Sequence, residues 1–163
     1  MTESPSSPPG PAPDTGFDEA WMRRALAQAE RAAALGEVPV GAVLLASGGT
    51  VFEDHNRTRE LADPTAHAEM LVLRAAADHL GDWRLEGHTM FVTLEPCAMC
   101  AGALVLARVP RLVYGAPDPK AGMCGSLGNL VQDVRLNHRV ELRAGVLAEE
   151  SGDLLRQFFH ARR

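Results

Sequence analysis

His67 and Glu69 in "DPTAHAEM", with Cys97 and Cys100 in "LEPCAMC", bring together an imidazole, a carboxylate and two thiols. The imidazole and the two thiolates make three zinc ligands. A tetrahedral zinc site with three protein ligands keeps its fourth position for water, as catalytic sites do and closed structural sites do not. Glu69 is not needed as a ligand and is free to move protons. Zinc brings the pKa of bound water toward neutrality, so hydroxide becomes available to attack an electron-poor ring carbon that bears an amino group. Glu69 would take the water proton, pass it to a ring nitrogen and later protonate the departing ammonia. H-x-E followed by P-C-x-x-C is the signature of zinc-dependent hydrolytic deamination.

A lone C-x-x-C also occurs in redox pairs and in structural zinc knuckles. Cys124 in "KAGMCGS" is the candidate fourth ligand of a closed site, a reading that leaves Glu69 idle. His55, His79, His88, His138 and His160 read as surface or packing residues.

The elements that must position these groups alternate in type. Trp21, Met22, Ala25, Leu26 and Ala29 repeat at helical spacing, and Gly36 stands where a C-terminal glycine ends a helix. "VPVGAVLLA" (38–46) is β-rich, "SGGT" is a hairpin turn, and a second strand runs toward His55. Asp63-Pro64 suits a helix start, with Met70, Leu71, Leu73, Ala76, Ala77 and Leu80 as its apolar positions. "TMFVTLE" (89–95) is a strand and Pro96 opens a helix over about 97–107. Strands at 111–116 and 140–146 and a helix from about Ala148 to Ala161 complete the chain. This alternation predicts an α/β fold, a layered sheet covered by helices. Cys97 and Cys100 then lie in a first helical turn, about 300° apart around the axis, where the helix N-terminus favours thiolates. His67 and Glu69, two residues apart, would be separated by about 200° on an ideal helix, so periodicity alone does not bring them to one face.

At 163 residues and 46% hydrophobic, the chain has enough apolar content for one domain. Residues 1–16, rich in Pro, Ser and Gly, read as a disordered tail before a domain over 17–163. No apolar run approaches membrane-spanning length, and the N-terminus lacks a secretory layout. Three cysteines, two of them in the C-x-x-C, suit metal binding in a reducing cytoplasm. A net charge of -5 argues against a nucleic-acid coat protein but not against an enzyme with a local basic patch. Of the 16 basic residues all but Lys120 are Arg, which suits bidentate phosphate contacts.

With these residues in place, the chain resembles the bacterial tRNA-specific adenosine deaminases of the cytidine/deoxycytidylate deaminase superfamily. The shared segments are "VPVGAV" (38–43), "HNR" around Asn56, "DPTAHAE" (63–69), "VTLEPCAMCAGA" (92–103), "GSL" (125–127), "NHRVE" (137–141) and the terminal "FFHARR". The resemblance implies a three-layer αβα sandwich with a five-stranded mixed sheet, and a cytoplasmic homodimer with one Zn2+ per subunit. It implies hydrolysis of adenosine to inosine at the wobble position of a tRNA anticodon stem-loop, that of an arginine tRNA. By position, His67, Cys97 and Cys100 resemble the zinc ligands and Glu69 the proton shuttle. Asn56 resembles the base-binding asparagine, Val40 an apolar pocket wall, the backbone at Ala98 a pocket-lining segment and Asp118 a sugar- or backbone-contacting aspartate. Phe159, Arg162 and Arg163 resemble an RNA-facing helix end. Pro117 stands where a basic residue is common, Thr58 replaces a proline, and the chain stops at Arg163 without a basic extension; these departures bear on RNA affinity more than on the zinc centre. A free-base or nucleoside deaminase would use the same zinc centre without a polyanion groove, and a zinc-stabilised binding module would not need Glu69.

Overall fold

The computed structural model describes residues 15–162; the expected tail up to residue 14, and Arg163, lie outside the described residues. Helix α1 (Thr15–Ala34) leads into β1 (Gly41–Ala46) and β2 (Val51–His55), followed by α2 (Ala68–Leu80), β3 (His88–Leu94), α3 (Ala98–Leu106), β4 (Arg111–Ala116), β5 (Glu141–Arg143) and α4 (Ala148–His160). α1 begins two residues inside the expected tail: Thr15 Oγ1 accepts a bond from Arg143, and Phe17 packs edge-on against Trp21 and Phe91.

The five strands form one mixed sheet in the order β2-β1-β3-β4-β5. β1 is antiparallel to both β2 and β3, whereas β3, β4 and β5 run parallel. Alternation along the strands sends side chains to two cores. Ala42, Leu44, Met90, Val92, Leu112 and Tyr114 meet α2 and α3 residues such as Val72, Leu73, Ala101 and Leu104. Val43, Phe91 and Val113 meet Met22 and Ala25 of α1 on the other face. With α4 packed on β4 and β3 beside α1, the result is the three-layer αβα sandwich that the family resemblance implied. Gly41 permits the close approach of the first layer, because a Cβ there would lie 1.9 Å from the Ala25 carbonyl oxygen.

Two expectations fail locally. Asp63-Pro64 does not open α2. The Asp63 carboxylate accepts from both the backbone N–H (2.8 Å) and the hydroxyl (2.7 Å) of Thr65, closing a turn, and the helix begins five residues beyond Asp63, at Ala68. β5 stops at Arg143 rather than continuing to 146, because the chain turns through Gly145 at φ 83° and Leu147 at φ 54° to enter α4.

Candidate metal centre and base pocket

The β-strands converge on one end of the sheet. Because β1 is antiparallel to β3, the start of β1 lies beside the end of β3, and the ends of β2 and β4 flank them. The segment before β1 therefore brings Val38 and Val40, the end of β2 brings Asn56, the end of β3 brings Leu94 to Cys97, and the turn after β4 brings Asp118 to one place. The N-termini of α2 and α3 point there too. A crevice beyond the carboxyl ends of parallel strands is where open α/β sheets bind ligands.

Two helix N-caps carry the metal-type donors. His67 caps α2 with an extended backbone (φ -73°, ψ 151°), and Cys97 caps α3 likewise (φ -73°, ψ 177°). Since His67 is not helical, the 100° step does not apply between it and Glu69. The extended cap swings the imidazole across the end of α2 while Glu69, in the first turn, faces the same space. This removes the difficulty that helical periodicity posed. Cys97 at the cap and Cys100 three residues later reproduce the reach that lets a cap side chain approach the third helical residue.

His67 Nδ1 lies 3.6 Å from both Cys97 Sγ and Cys100 Sγ, and the three donor atoms all lie within 4.8 Å of one another. Tetrahedral zinc, about 2.3 Å from sulfur and about 2.0 Å from imidazole nitrogen, separates a sulfur from a nitrogen by about 3.6 Å. The donor set fits that ion in both element type and spacing. Cys124 is buried and free, but the three-donor cluster does not include it. Its backbone N–H bonds Glu95 at 3.0 Å, and its thiol lies 3.9 Å from the Pro96 carbonyl oxygen, so its side chain packs behind the Cys97 segment.

The electrostatics are those of a site that holds charge. Hydrogen bonding from Cys100 and His67 pulls the Cys97 thiol down to about 3, which favours its thiolate form. The neighbouring Cys97 sulfur and burial push the Cys100 thiol up, while contact with Cys97 raises His67. Two sulfurs and an imidazole this close share protons that a divalent cation replaces. Glu69 is 4% exposed and its carboxyl is raised chiefly by burial.

Of the residues implied by resemblance, Val40, Asn56 and Asp118 join His67, Glu69 and Cys97 around one pocket of about 230 Å³. Asn56 is buried; its N–H bonds the Val40 carbonyl at 3.0 Å and its side-chain amide approaches Thr58 Oγ1 at 3.4 Å. Thus Thr58, noted in the sequence only as a departure, touches the pocket. Asp118 Oδ1 accepts the N–H groups of Lys120 and Ala121, so one of its oxygens shapes the turn. Ala98 begins α3 directly after pocket-lining Cys97, with its side chain exposed. Phe159, 48% exposed, and Arg162 lie farther out, on a groove of about 1240 Å³ between α4 and the 116–120 turn that also carries Pro117, Lys120 and Arg156. Arg162 sits 3.5 Å over the Phe158 ring. Sequence reasoning missed Val38, Leu94, Glu95, Ala68 and Ala121 on the inner wall. The first two and the two alanines are unremarkable apolar residues, and Glu95 carries a signal only through its place beside Pro96-Cys97.

Comparison with known proteins agrees with this geometry. The MafB19-like deaminase family matches residues 17–163. A tRNA-specific adenosine deaminase of Bacillus subtilis is 51% identical over 142 residues, covering 87% of this chain and 88% of that protein. Its counterpart in Haemophilus influenzae is 48% identical over 90% of this chain and 86% of that one. A solved structure of the tRNA:A34 deaminases that perform A-to-I editing at the wobble position of transfer RNA superposes with a TM-score of 0.79 at 44% identity, covering 83% of this chain and 99% of that one. A guanine deaminase of Bacillus subtilis superposes with a TM-score of 0.59 at 27% identity, covering 89% and 92%.

Proposed function

The chain belongs to the tRNA-specific adenosine deaminases, and from that membership and the geometry of its pocket we propose that it hydrolyses adenosine to inosine at the wobble position of a tRNA anticodon loop, that of an arginine tRNA. The observation that carries the reading is the pairing of a three-donor cluster with a buried carboxyl in one small pocket. Its volume of about 230 Å³ falls below the roughly 300–1,000 Å³ of drug-sized sites, which suits one inserted base rather than a whole nucleotide.

His67, Cys97 and Cys100 would hold one zinc ion per chain, which when bound supplies the Lewis acidity that makes water a nucleophile near neutral pH. Glu69 moves the protons. Its carboxylate takes one from the attacking water, delivers it to a ring nitrogen, and then carries the second to the departing amine, so adenosine and water become inosine and ammonia. Burial raises the Glu69 carboxyl above its ordinary value, favouring its protonated form. Asn56, held at its backbone by Val40, presents an amide that can donate and accept along a base edge. Val38, Val40 and Leu94 supply apolar walls for the base faces.

Loop bases are already unpaired, so extruding one costs less than from a duplex. The outer groove, with Lys120, Arg156 and Arg162 beside exposed Phe159, offers cations and a stacking face to the flanking nucleotides. Arg163, outside the described residues, is proposed as an RNA contact on the family resemblance alone. A homodimer acting in the cytoplasm belongs to the same reading; exposed Trp83 and Leu106 supply apolar surface for a second copy. Among the described residues no helix is long and apolar enough to cross a membrane.

A second reading, free-base deamination, is favoured by the net charge of -5 and by the likeness to a guanine deaminase. Zinc-loaded protein incubated with an anticodon stem-loop and with free nucleobases separates the two. Inosine in the stem-loop, with a steep loss of rate as salt rises, supports the RNA reading. Deamination of free bases alone, insensitive to salt, overturns it.

A further inference from the structure

We propose that Glu95 is a positioning residue that locks the 118–126 loop into the base pocket, and that its Oε1 atom in particular holds Asp118; the proposal rests on the RNA-deaminase reading for its kinetic consequence. Glu95 follows β3, is 2% exposed, and directs its carboxylate at the donors of the loop. Four donors converge on it. Oε1 accepts the Asp118 N–H at 3.0 Å and the Ser126 hydroxyl, and Oε2 accepts the N–H groups of Cys124 and Ser126, each at 3.0 Å.

The loop is shaped around this carboxylate. A Cβ at Gly122 would lie 2.3 Å from Glu95 Cδ and 2.4 Å from Oε2, so the chain passes Glu95 with no room for any side chain. Gly122 forms a bridge with Cys97, and the Met123 N–H bonds the Pro96 carbonyl at 2.9 Å. One segment therefore carries a metal-type ligand, Cys97, and anchors the opposite pocket wall, Asp118 and Ala121. A buried carboxylate whose two oxygens are fully taken by donors is a clamp. It is not a proton carrier.

The arrangement dictates what Glu95→Gln would do. The amide NH2 must replace one oxygen. In the Oε2 position it would orphan two backbone N–H groups. In the Oε1 position it orphans only that of Asp118, because the Ser126 hydroxyl can turn and accept. The second orientation wins, since an unpaired buried donor is costly. The substitution thus releases Asp118 selectively.

Steady-state kinetics on an anticodon stem-loop with zinc-loaded protein, with hydrogen exchange on the same samples, tests this. Glu95→Gln is expected to raise KM about tenfold, with kcat changed less than about threefold and zinc content unchanged. Exchange should quicken at the Asp118 amide while the Cys124 and Ser126 amides stay protected. Ser126→Ala, which removes one of the four donors, should change KM less than about twofold. A fall in kcat at constant KM, loss of zinc, or uniform loosening of all three amides would overturn the proposal. If Glu95→Gln does not fold, the wild-type protein still decides the point: slow exchange at Asp118, Cys124 and Ser126 is required, and a freely exchanging Asp118 amide refutes the clamp. Absence of inosine from the wild-type reaction would count against the RNA reading, and the exchange result would stand apart from it.

Discussion

At the start of β4, Arg111 grips Asp18 through two bonds of 2.8 and 2.7 Å and Arg143 adds a third at 2.7 Å. Beyond the other end of β4, His67, Cys97 and Glu69 face a pocket, with the buried Cys100 beside His67 and Cys97. Both places bury charge. At the first, Asp18 is 0% exposed and both its oxygens are taken by fixed guanidinium groups, although Arg111 Nε itself has no partner among the described residues. Here α1 is stapled to β4 and β5, and the partners complete one another. At the second, the donors share protons among themselves, one thiol pulled down and the other pushed up, and a carboxyl is raised by burial. These groups line a pocket that a substrate can enter, whereas the Asp18 cluster is closed by its own partners. Polar burial closed off by fixed partners marks structure, and polar burial that faces a pocket marks chemistry.

Substitutions at the two ends should therefore separate cleanly. Cys100→Ala has the largest expected effect on activity: metal content and inosine formation both fall to background, by elemental analysis and product mass spectrometry. Retention of activity would mean that Cys100 only packs. Glu69→Gln should keep the metal and lower kcat by about 10²–10⁴-fold, the range of general acid–base catalysis. Loss of metal with that variant would make Glu69 a ligand instead.

At the far end the expected effect moves from activity to stability. Asp18→Asn should cost about 3 kcal/mol in urea unfolding, as breaking a buried ion cluster does, with kcat unchanged. Burial would raise the Asp18 carboxyl, but the bonds and charges of Arg111 and Arg143 outweigh it and hold it below the usual range. Because the folded-state value is depressed, this stabilisation is fully present above the unfolded value of about 3.9 and fades as pH falls through the lower folded value. The stability gap between wild type and Asp18→Asn should accordingly narrow below about pH 4. A gap constant into strong acid would show that packing, not charge, holds α1.

How much of this was legible in the sequence follows the same division. His67, Glu69, Cys97 and Cys100 announce themselves because their side-chain types carry the chemistry and their spacing is local. Periodicity nevertheless misplaced His67 relative to Glu69, since the extended ψ of 151° at the cap takes the histidine out of the helix. Asp63-Pro64 reads as a helix start until Thr65 claims the Asp63 carboxylate. The Glu95 clamp was not legible, because most of its partners are backbone N–H groups 23 to 31 residues downstream, which leave no side-chain signature. Asp18 likewise meets partners 93 and 125 residues away. Strand identity survived well in β4, whose bounds at 111 and 116 match the apolar run. It failed in β5, where Gly145 and Leu147 turn the chain early.

The chemistry assigned to this pocket requires the three donors to hold a catalytic metal. Purified protein should be analysed for metal, stripped with a chelator, and assayed on an anticodon stem-loop before and after zinc is restored. The expected result is about one zinc per chain, loss of inosine formation on stripping, and recovery on restoring zinc in step with occupancy. Inosine formation that persists in metal-free protein would contradict the account.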